Sequence, residues 1–266
     1  MRELEEALDI SLLSRTTRRV TLTEEGARYY ASVVQILRFV DQAGDEARST
    51  RGAAAGTVRI SCTAALGTRH ISRLIFAFQD RHPEITVDLS LTDERIDLVR
   101  DGMDIAIRLG PLADSSMKLH AIGASRRVLV GSTDYLLRHG KPATPEALAN
   151  LEGIRMLNIA GSDSLALRRA DGRTSIVPFG GRLRVDHGLA AREAFAAGRG
   201  IGPAHLWLVH DLLDNGQLEI LLQDYELASV PLNLLIIPER AKTARVRLVV
   251  DFLISEIRKL PGIVIS

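Results

Sequence analysis

The sequence predicts an α/β protein whose larger part folds as two lobes, preceded by a short N-terminal segment and one long helix. Three observations support this fold class. Strand and helix patterns alternate from residue 57, a second alternating set begins near residue 133, and a final strand and helix close the chain. We expect that final pair to return to the first sheet. Such a chain crosses twice between its lobes and leaves a cleft between them, where ligands commonly bind.

Composition excludes several classes of protein. Apolar residues make up 46% and charged residues 25% of the 266 residues, which is typical of a globular chain. No apolar run approaches the roughly 20 residues of a membrane-spanning helix, and the acidic first residues do not resemble a secretory leader. The single cysteine, Cys62, excludes an intramolecular disulfide and a cysteine-based metal cluster. We therefore expect a cytoplasmic protein; the net charge of +1 leaves nucleic-acid binding open.

The long helix is predicted from Thr23, the expected N-cap, to about residue 51. Apolar and small residues recur along it at spacings of three and four, the pattern of a helix that packs along another helix, at Tyr30, Val33, Leu37, Val40, Gly44 and Ala47. That face is either a dimer seam or a contact with the helix's own domain. The seam is favoured because almost no sequence precedes the helix. The small residues at 52–56 predict a hinge.

The alternating patterns beyond the hinge divide into two sets. The first predicts a mainly parallel sheet from strands at 58–62, 85–91, 104–108 and 127–131, with helices at 71–78 and 94–100. The second includes a helix at 189–198, a strand at 200–203 and a helix at 206–213, and the chain closes with a strand at 232–237 and a helix at 244–259. The predicted domains are 1–23, 24–56 and 57–266, the last with lobe I at 57–132 and 234–266 and lobe II at 133–233.

A motif in the first domain predicts DNA binding. The stretch LLSRTTRRVTLTEEG at 12–26 resembles the segment that closes the winged helix-turn-helix domain of LysR-type transcriptional regulators. The alternation of Val20 and Leu22 predicts a two-stranded wing. The resemblance implies that the wing contacts DNA through Arg15, Thr16, Thr17, Arg18 and Arg19. A merely solvated hairpin is the alternative, and the family context favours DNA contact.

The start of the sequence departs from that family. Residues 2–8 resemble only the C-terminal part of the recognition helix, whose N-terminal residues enter the major groove. The first helix and turn of the family pattern, about fifty residues, have no counterpart here. We therefore expect a partial winged helix-turn-helix. This departure leaves a second functional hypothesis, a ligand-binding or oligomerising module without specific DNA binding.

Further motifs extend the resemblance over nearly the whole chain. They are GTVRIS at 56–61, FQDRHP at 78–83, DLVRDGMDIAIRLG at 97–110 and AGRGIGP at 197–203. The resemblance implies a periplasmic-binding-protein-like (type II) effector domain in a regulator that forms a homodimer or homotetramer and binds promoter DNA and a small-molecule effector. The run AHLW at 204–207 departs from the family pattern, which puts the identity of the effector in doubt.

Candidate effector residues in the first lobe follow or end its predicted strands. Thr63 and Ala64 follow one strand, Thr92 and Asp93 follow the next, and Arg108 ends a third. Since strand ends of α/β sheets tend to bind ligands, we expect them to meet there. The arginine suits a carboxylate, so a small organic acid or a similarly polar metabolite is the expected effector. Helix capping by Thr63 or Thr68 and by Asp93, and an ion pair for Arg108, are the alternatives.

The remaining candidates lie near the first crossing and in the second lobe. Gly131 and Ser132 lie at that crossing, Asp186 and His187 lie at a strand-to-helix turn, and Pro203 ends the glycine-rich motif. For His187 a structural, hydrogen-bonded role is the alternative.

The same inspection gives no support to an enzyme. The glycines at 198, 200 and 202 lack the G-x-G-x-x-G continuation of a dinucleotide loop, and there is no G-x-S-x-G elbow. Cys62 has no second cysteine with which to form a redox switch and is expected to be a core residue. We expect neither a cofactor nor a metal.

Overall fold

The computed structural model describes residues 1–15, 20–49, 54–94, 97–111, 117–157, 159 and 161–265. Its N-terminal part consists of α1 (Arg2–Leu8), β1 (Leu13–Arg15), β2 (Val20–Leu22) and α2 (Glu24–Ser49). Strands β1 and β2 pair antiparallel, which confirms the two predicted strands of the wing. Four of the residues predicted to contact DNA lie outside the described residues, namely Thr16, Thr17, Arg18 and Arg19.

Polar contacts fix the start of α2 against the hairpin. The Thr23 hydroxyl accepts a hydrogen bond from the Gly26 N–H at 2.9 Å, as predicted for an N-cap. A Cβ atom at Gly26 would lie 2.0 Å from the carbonyl oxygen of Leu12, so only glycine fits there. The Glu5 carboxylate accepts a hydrogen bond from the Leu12 N–H at 2.7 Å. These contacts join α1, the hairpin and α2 into one unit.

The next segment builds most of a large sheet. In chain order its elements are β3 (Gly56–Cys62), α3 (Ala64–Leu66), a π-helical segment (Gly67–Ile71), α4 (Ser72–Arg81), β4 (Ile85–Leu91), β5 (Ile105–Leu109) and β6 (Lys118–Ser125). The helical pieces are contiguous and form one helix. A Cβ atom at Gly67 would lie 2.2 Å from a terminal methyl of Leu91, so the glycine lets the helix pass the end of β4 without displacing that side chain.

The middle of the chain forms three smaller sheets. Its elements are β7 (Arg127–Ser132), α5 (Thr133–His139), a 3₁₀ helix (Pro145–Asn150), β8 (Arg155–Met156), β9 (Ser164–Arg169), β10 (Thr174–Pro178), β11 (Arg184–Val185), α6 (Gly188–Ala196), β12 (Ile201–His205), α7 (Leu206–Asp214), β13 (Leu218–Leu221) and β14 (Tyr225–Leu227). The sheets have the orders β12-β7-β13, β10-β9-β14 and β11-β8. We call the first of these the β7 sheet.

The chain then returns to the large sheet, as predicted. Its last elements are β15 (Val230–Ile236), a 3₁₀ helix (Arg240–Lys242), α8 (Ala244–Ile257) and β16 (Ile263–Val264). The large sheet has the order β16-β6-β15-β5-β3-β4. Strand β15 therefore lies between β5 and β6.

The prediction of a mainly parallel sheet was wrong. Strand β3 runs parallel to β4 and β5, but β15 runs antiparallel to β5 and β6, and β16 runs antiparallel to β6. The returning strand enters from the other half of the molecule and so runs against its neighbours. The large sheet is mixed.

The strand predicted at 127–131 belongs to a different sheet from the one expected. It is β7, and it pairs antiparallel with β12 and β13 rather than with the strands of the large sheet. The place expected for it is taken by β6, which ends at Ser125 and is separated from β7 by Arg126 alone. The chain therefore crosses between sheets at residue 126.

The helix predicted at 94–100 is replaced by a turn in the part of it that the structure describes. One Asp97 carboxylate oxygen accepts hydrogen bonds from the N–H groups of Val99 and Arg100, each at 3.0 Å. Aspartate side chains that bind nearby backbone groups compete with helix formation. Residues 95–96 of the predicted helix lie outside the described residues.

Two apolar cores lie on opposite faces of β7. Val128 and Val130 point into the larger core, which also contains residues of the large sheet and of α4, α6, α7 and α8. Leu129 points into a smaller core with residues of β9, β10 and α5. A strand buried on both faces shows apolar side chains without alternation. Because the larger core includes both sheets, they pack as one body.

We predict that Leu136→Ala lowers the free energy of unfolding by about 2 to 5 kcal/mol, because the side chain is 3% exposed and its removal leaves a cavity. The neighbouring Leu137 is 80% exposed on the same helix, so Leu137→Ala is the control and should change stability by no more than about 0.5 kcal/mol. Urea unfolding measures both. Equal losses would contradict the packing of α5.

Candidate functional site

The ends of three neighbouring strands meet at one edge of the large sheet. Cys62 at the end of β3 lies opposite Leu91 of β4 and Ile107 of β5, and these strands run parallel. The residues that follow or end the strands are therefore brought together, as the sequence predicted. They are Thr63, Ala64, Thr92, Asp93 and Arg108. We call this edge, with the part of α6 that faces it, the junction.

Asp93 connects the two sides of the junction. One of its carboxylate oxygens accepts a hydrogen bond from the Ala64 N–H at 3.0 Å, and the other lies 3.8 Å from His187 Nε2. Thr92 has a local role, since its hydroxyl accepts a hydrogen bond from the Glu94 N–H at 3.1 Å. Asp93 thus links the turn after β3 to the start of α6.

The hydroxyl of Thr63 is buried and has no hydrogen-bond partner of good geometry among the described residues. It lies close enough to the Cys62 thiol to act on the pKa of that thiol. The Thr63 side chain makes no capping hydrogen bond to α3, so the capping alternative is not realised. A buried polar atom without a partner needs an explanation, and an absent ligand is one such explanation.

Arg108 places a guanidinium in the same region. Its Nη2 donates to the hydroxyl of Ser61 at 2.6 Å, and its Nη1 donates to the Ile107 carbonyl at 3.0 Å. Burial lowers the pKa of Arg108, while Cys62 and Asp93 raise it. Within the described part of the chain, no carboxylate lies at salt-bridge distance, so the ion pair considered as an alternative does not form there. Its charge is available to an anion.

Cys62 behaves as a core residue, as predicted. It is fully buried in the larger core. Burial raises the pKa of the Cys62 thiol to about 12. Since the thiolate is the reactive form, this thiol is chemically inert at neutral pH.

The opposite wall of the junction is the start of α6. His187 is its N-cap, and His187 Nδ1 accepts a hydrogen bond from the Leu189 N–H at 3.2 Å. In the neutral ring the proton is therefore on Nε2, which faces Asp93. A Cβ atom at Gly188 would lie 3.2 Å from that of Ala65, so α6 approaches α3 closely. Asp186 lies directly before this cap.

Gly131 and Ser132 do not join the junction. Ser132 is buried and caps α5, accepting a hydrogen bond from the Tyr135 N–H at 3.2 Å. A Cβ atom at Gly198, beyond the far end of α6, would lie 3.1 Å from the Ser132 hydroxyl, whereas the near end of α6 forms the junction. Gly131 is packed against Ile201. These two positions serve packing and capping.

Pro203 lies inside β12, opposite Leu129 of β7, and is half-buried. No hydrogen bond in the described ranges joins it to the junction. Of the ten predicted effector residues, Thr63, Ala64, Thr92, Asp93, Arg108, Asp186 and His187 lie at the junction or directly beside its walls, and Pro203, Gly131 and Ser132 lie in the β7 sheet.

A charged group that the sequence analysis missed also joins the two halves. Asp211 of α7 receives both Nη atoms of Arg192 of α6 at 2.7 Å and Nη2 of Arg69 at 2.8 Å. The hydrogen bond from Arg192 is the main reason that the pKa of Asp211 falls to about 2. Arg69 lies in the π-helical segment of the other half. The three residues are far apart in sequence and share no motif, so no sequence signal identified them.

A second polar cluster lies beside the crossing. Trp207 Nε1 donates to the Ser125 hydroxyl at 2.9 Å, and that hydroxyl lies 2.7 Å from His205 Nδ1. His70 Nε2 donates to the Trp207 carbonyl at 2.9 Å. Burial, with a smaller contribution from Arg127, lowers the pKa of His205 to about 4. His205 is therefore neutral at physiological pH.

Comparison with known proteins identifies the family. Residues 51–258 match the LysR substrate binding domain. The chain is 31% identical over 253 residues to the probable HTH-type transcriptional regulator LtrA of Klebsiella pneumoniae, covering 94% of this chain and 82% of the relative. It is 30% identical over 255 residues to the HTH-type transcriptional regulator DmlR of Escherichia coli, covering 94% and 81%. The chain belongs to the LysR family of transcriptional regulators.

Solved structures of family members have the same fold. Full-length AphB, a virulence activator of Vibrio cholerae, superimposes with a TM-score of 0.73 at 28% identity, over 96% of this chain and 87% of that one. CrgA of Neisseria meningitidis gives a TM-score of 0.70 at 28% identity, over 97% and 87%. The predicted two-lobed effector-domain fold is thereby confirmed. Among the described residues no helix is long and apolar enough to cross a membrane.

We predict that His205 makes stability depend on pH. The unfolded chain binds a proton at this histidine near pH 6.5, whereas the folded chain does so only near pH 4. Stability should therefore fall as the pH is lowered through this window, because the unfolded state binds more protons. Urea unfolding of wild type and His205→Asn should show a difference that narrows toward pH 4.

The control for this experiment is Leu137→Ala, which removes an exposed side chain that carries no titratable group. Its effect on the free energy of unfolding should vary little over the same pH range. A His205→Asn difference that stays constant from pH 7 to about 4 would refute the burial of a neutral histidine there.

Proposed function

We propose that this chain is a DNA-binding regulator whose DNA affinity is controlled by a small molecule bound at the junction. The observation that carries the proposal is the convergence of the buried, unpartnered Thr63 hydroxyl and the Arg108 guanidinium at the strand ends of the large sheet. Strand ends of α/β sheets are common ligand sites. Membership of the LysR family supports the regulatory role.

The chemistry of the junction favours a small organic acid. Among the described residues no carboxylate lies at salt-bridge distance from Arg108, and a planar guanidinium binds a carboxylate through two parallel hydrogen bonds. The Thr63 hydroxyl is both a donor and an acceptor, so it suits a carboxylate or a hydroxyl of the same molecule. Asp93 accepts a hydrogen bond from the Ala64 N–H and faces His187.

We further propose that the effector acts on the contact between Asp93 and His187. This contact spans the junction at 3.8 Å, and α6 lies close to α3 behind it. A molecule held by Thr63 and Arg108 would alter the separation of these walls. An effector that binds one separation better shifts the protein toward that separation. If DNA also binds the two separations differently, the effector changes DNA affinity by the same factor by which DNA changes effector affinity.

In this proposal the lobes divide at the two crossings, with 57–125 and 230–266 in one lobe and 127–228 in the other, instead of at 132 and 234 as the sequence predicted. Residues 1–23 and 24–56 are the DNA-binding and linker parts. The linker α2 exposes large apolar side chains, among them Tyr30, Ile36, Leu37 and Val40, which supports pairing of two chains along it. The relatives carry names of HTH-type transcriptional regulators. We accordingly propose a cytoplasmic homo-oligomer that binds promoter DNA without enzymatic activity.

DNA binding is tested by titrating the chain onto the promoter DNA upstream of its own gene and onto random DNA, both at the same fixed salt concentration. We expect a preference for the upstream DNA. Replacing Arg18 and Arg19 with Ala should weaken binding to both and reduce the log-log salt slope by roughly 1 per lost phosphate contact.

The control for the wing is the exposed Arg184, whose replacement by Ala should leave affinity and slope unchanged. Unchanged affinity after loss of Arg18 and Arg19 would contradict the wing assignment. Equal affinity for upstream and random DNA would instead favour the ligand-binding or oligomerising module.

Effector binding is tested by calorimetry with a panel of small mono- and dicarboxylic acids. For the acid that binds best, Arg108→Ala should weaken binding at least about tenfold, the value of a charged hydrogen bond. Thr63→Val keeps the shape of the side chain and should weaken binding through the hydroxyl alone. Arg100→Ala, at an exposed turn, is the control. An acid bound equally by wild type and Arg108→Ala would exclude Arg108 as the anchor.

A further inference from the structure

A cavity of about 350 Å³ lies between the β7 sheet and β14. Its apolar wall comes from the half-buried Ile220 of β13 and the exposed Val264 of β16. It shares no residue with the junction. Small-molecule sites in proteins begin at about 300 Å³ and combine an apolar wall with a few polar groups.

The cavity lies where the chain crosses between its two halves. Arg126 connects β6 of the large sheet to β7, and Ser229 directly precedes β15 on the return, and both residues line the cavity. Val230 lies opposite Ser125 in the large sheet, so the two crossings run side by side. A molecule in this cavity would contact both connections at once.

Arg127 gives the cavity a positive charge that the described residues do not balance. Its Nε donates to the Ala228 carbonyl at 2.9 Å, which joins the two crossings. Within the described ranges no carboxylate lies at salt-bridge distance from it. The acid that lines the same cavity, Glu226, is paired with Arg168 at 3.1 Å. Burial, with no opposing charge, lowers the pKa of Arg127.

Other groups of the cavity suit the same kind of ligand. Tyr225 and Ser229 line it and carry hydroxyl groups that can donate to an anion. Inorganic anions would leave the apolar wall unused, whereas a carboxylate with a short hydrocarbon body would cover the wall and neutralise Arg127. Burying an apolar body and pairing a half-buried charge are both favourable.

We call this cavity the hinge cavity because it lies at the two crossings; it is distinct from the predicted hinge at 52–56. We propose that the hinge cavity is a second ligand site, specific for a small organic carboxylate with an apolar body and anchored by Arg127. Because the cavity contacts both crossings, its occupancy biases the angle between the two halves independently of the junction. The site therefore offers a second input to the same conformational change.

The test is calorimetry on the full chain with two pairs of probes, hexanoate with hexanamide and phenylacetate with phenylacetamide. Each amide matches its acid in shape and lacks the charge. We expect at least one acid to bind and its amide to bind at least about tenfold more weakly. Equal affinity for acid and amide, or no heat from either acid up to about 10 mM, would overturn the proposal.

Variants assign the binding to the hinge cavity. Arg127→Gln should weaken binding of the acid at least about tenfold. Arg184→Gln, at an exposed position outside the cavity, should leave the affinity for the acid unchanged. Val264→Trp places a larger side chain at the half-exposed edge of the cavity and leaves Arg127 unchanged. This variant should also weaken binding of the acid. This second variant keeps the test valid if Arg127→Gln destabilises the hinge.

The junction is the competing location. Arg108→Gln should leave binding of the hinge ligand unchanged, because Arg108 does not line this cavity. Loss of acid binding in Arg108→Gln, with unchanged binding in Arg127→Gln and Val264→Trp, would move the acid to the junction and refute the hinge site. Sulfate serves as the inorganic probe, and competition by sulfate as strong as by the acid would refute the role of the apolar wall.

Discussion

The two crossings at residues 126 and 228–229 constrain the rest of the molecule. They are the covalent connections between the large sheet and the smaller sheets, so any change in the angle between the halves must occur at them. The backbone there is held by the hydrogen bond from Arg127 to the Ala228 carbonyl and by the pairing of Ser125 with Val230. All other contacts between the halves are noncovalent. When the angle between the halves changes, the weakest of these contacts is expected to break first.

These contacts differ in strength. Near the crossing, Arg69 reaches Asp211 at 2.8 Å, and His70 donates to the Trp207 carbonyl at 2.9 Å. Asp211 is also held by Arg192, but α6 and α7 belong to the same half, so that pair stays intact when the halves separate. At the junction, Asp93 faces His187 across 3.8 Å with both side chains about one-third exposed. A pair of that kind contributes roughly 0 to 1 kcal/mol. The halves are thus joined by two polar contacts at 2.8 and 2.9 Å near the crossing and by a longer contact of 3.8 Å at the junction.

The sequence predicted the strongly periodic elements and the strand ends, but not the pairing between distant segments. β3, β4, β5 and β15 are apolar runs bounded by turn residues, and all four were predicted. β6 was missed because Lys118–Ser125 interrupts its apolar positions with histidine, alanine and glycine. The sheet to which β7 belongs depends on its pairing with β12 and β13, a long-range property that local periodicity does not contain.

The site followed the same division. Thr63, Asp93 and Arg108 were predicted because position at a parallel strand end is a local property. The facing of Asp93 and His187 fits the expected cleft, since each residue follows a strand of its own half. Ser132 also ends a strand, but that strand belongs to the β7 sheet and not to the large sheet. Its hydroxyl therefore lies away from the junction and caps α5. The grouping of Arg69, Asp211 and Arg192 depends on tertiary packing alone.

Three buried or half-buried arginines show how the structure distinguishes scaffold from site. Arg192 is held by two hydrogen bonds to Asp211 and one to the Leu208 carbonyl, so its charge is fully used within the fold. Arg108 and Arg127 are partly desolvated, and their hydrogen bonds go to neutral oxygens. Holding a cation in that state costs folding free energy that a bound anion offsets. One of these arginines lies at the junction and the other at the crossing, so both proposed anion sites lie where the two halves of the molecule meet.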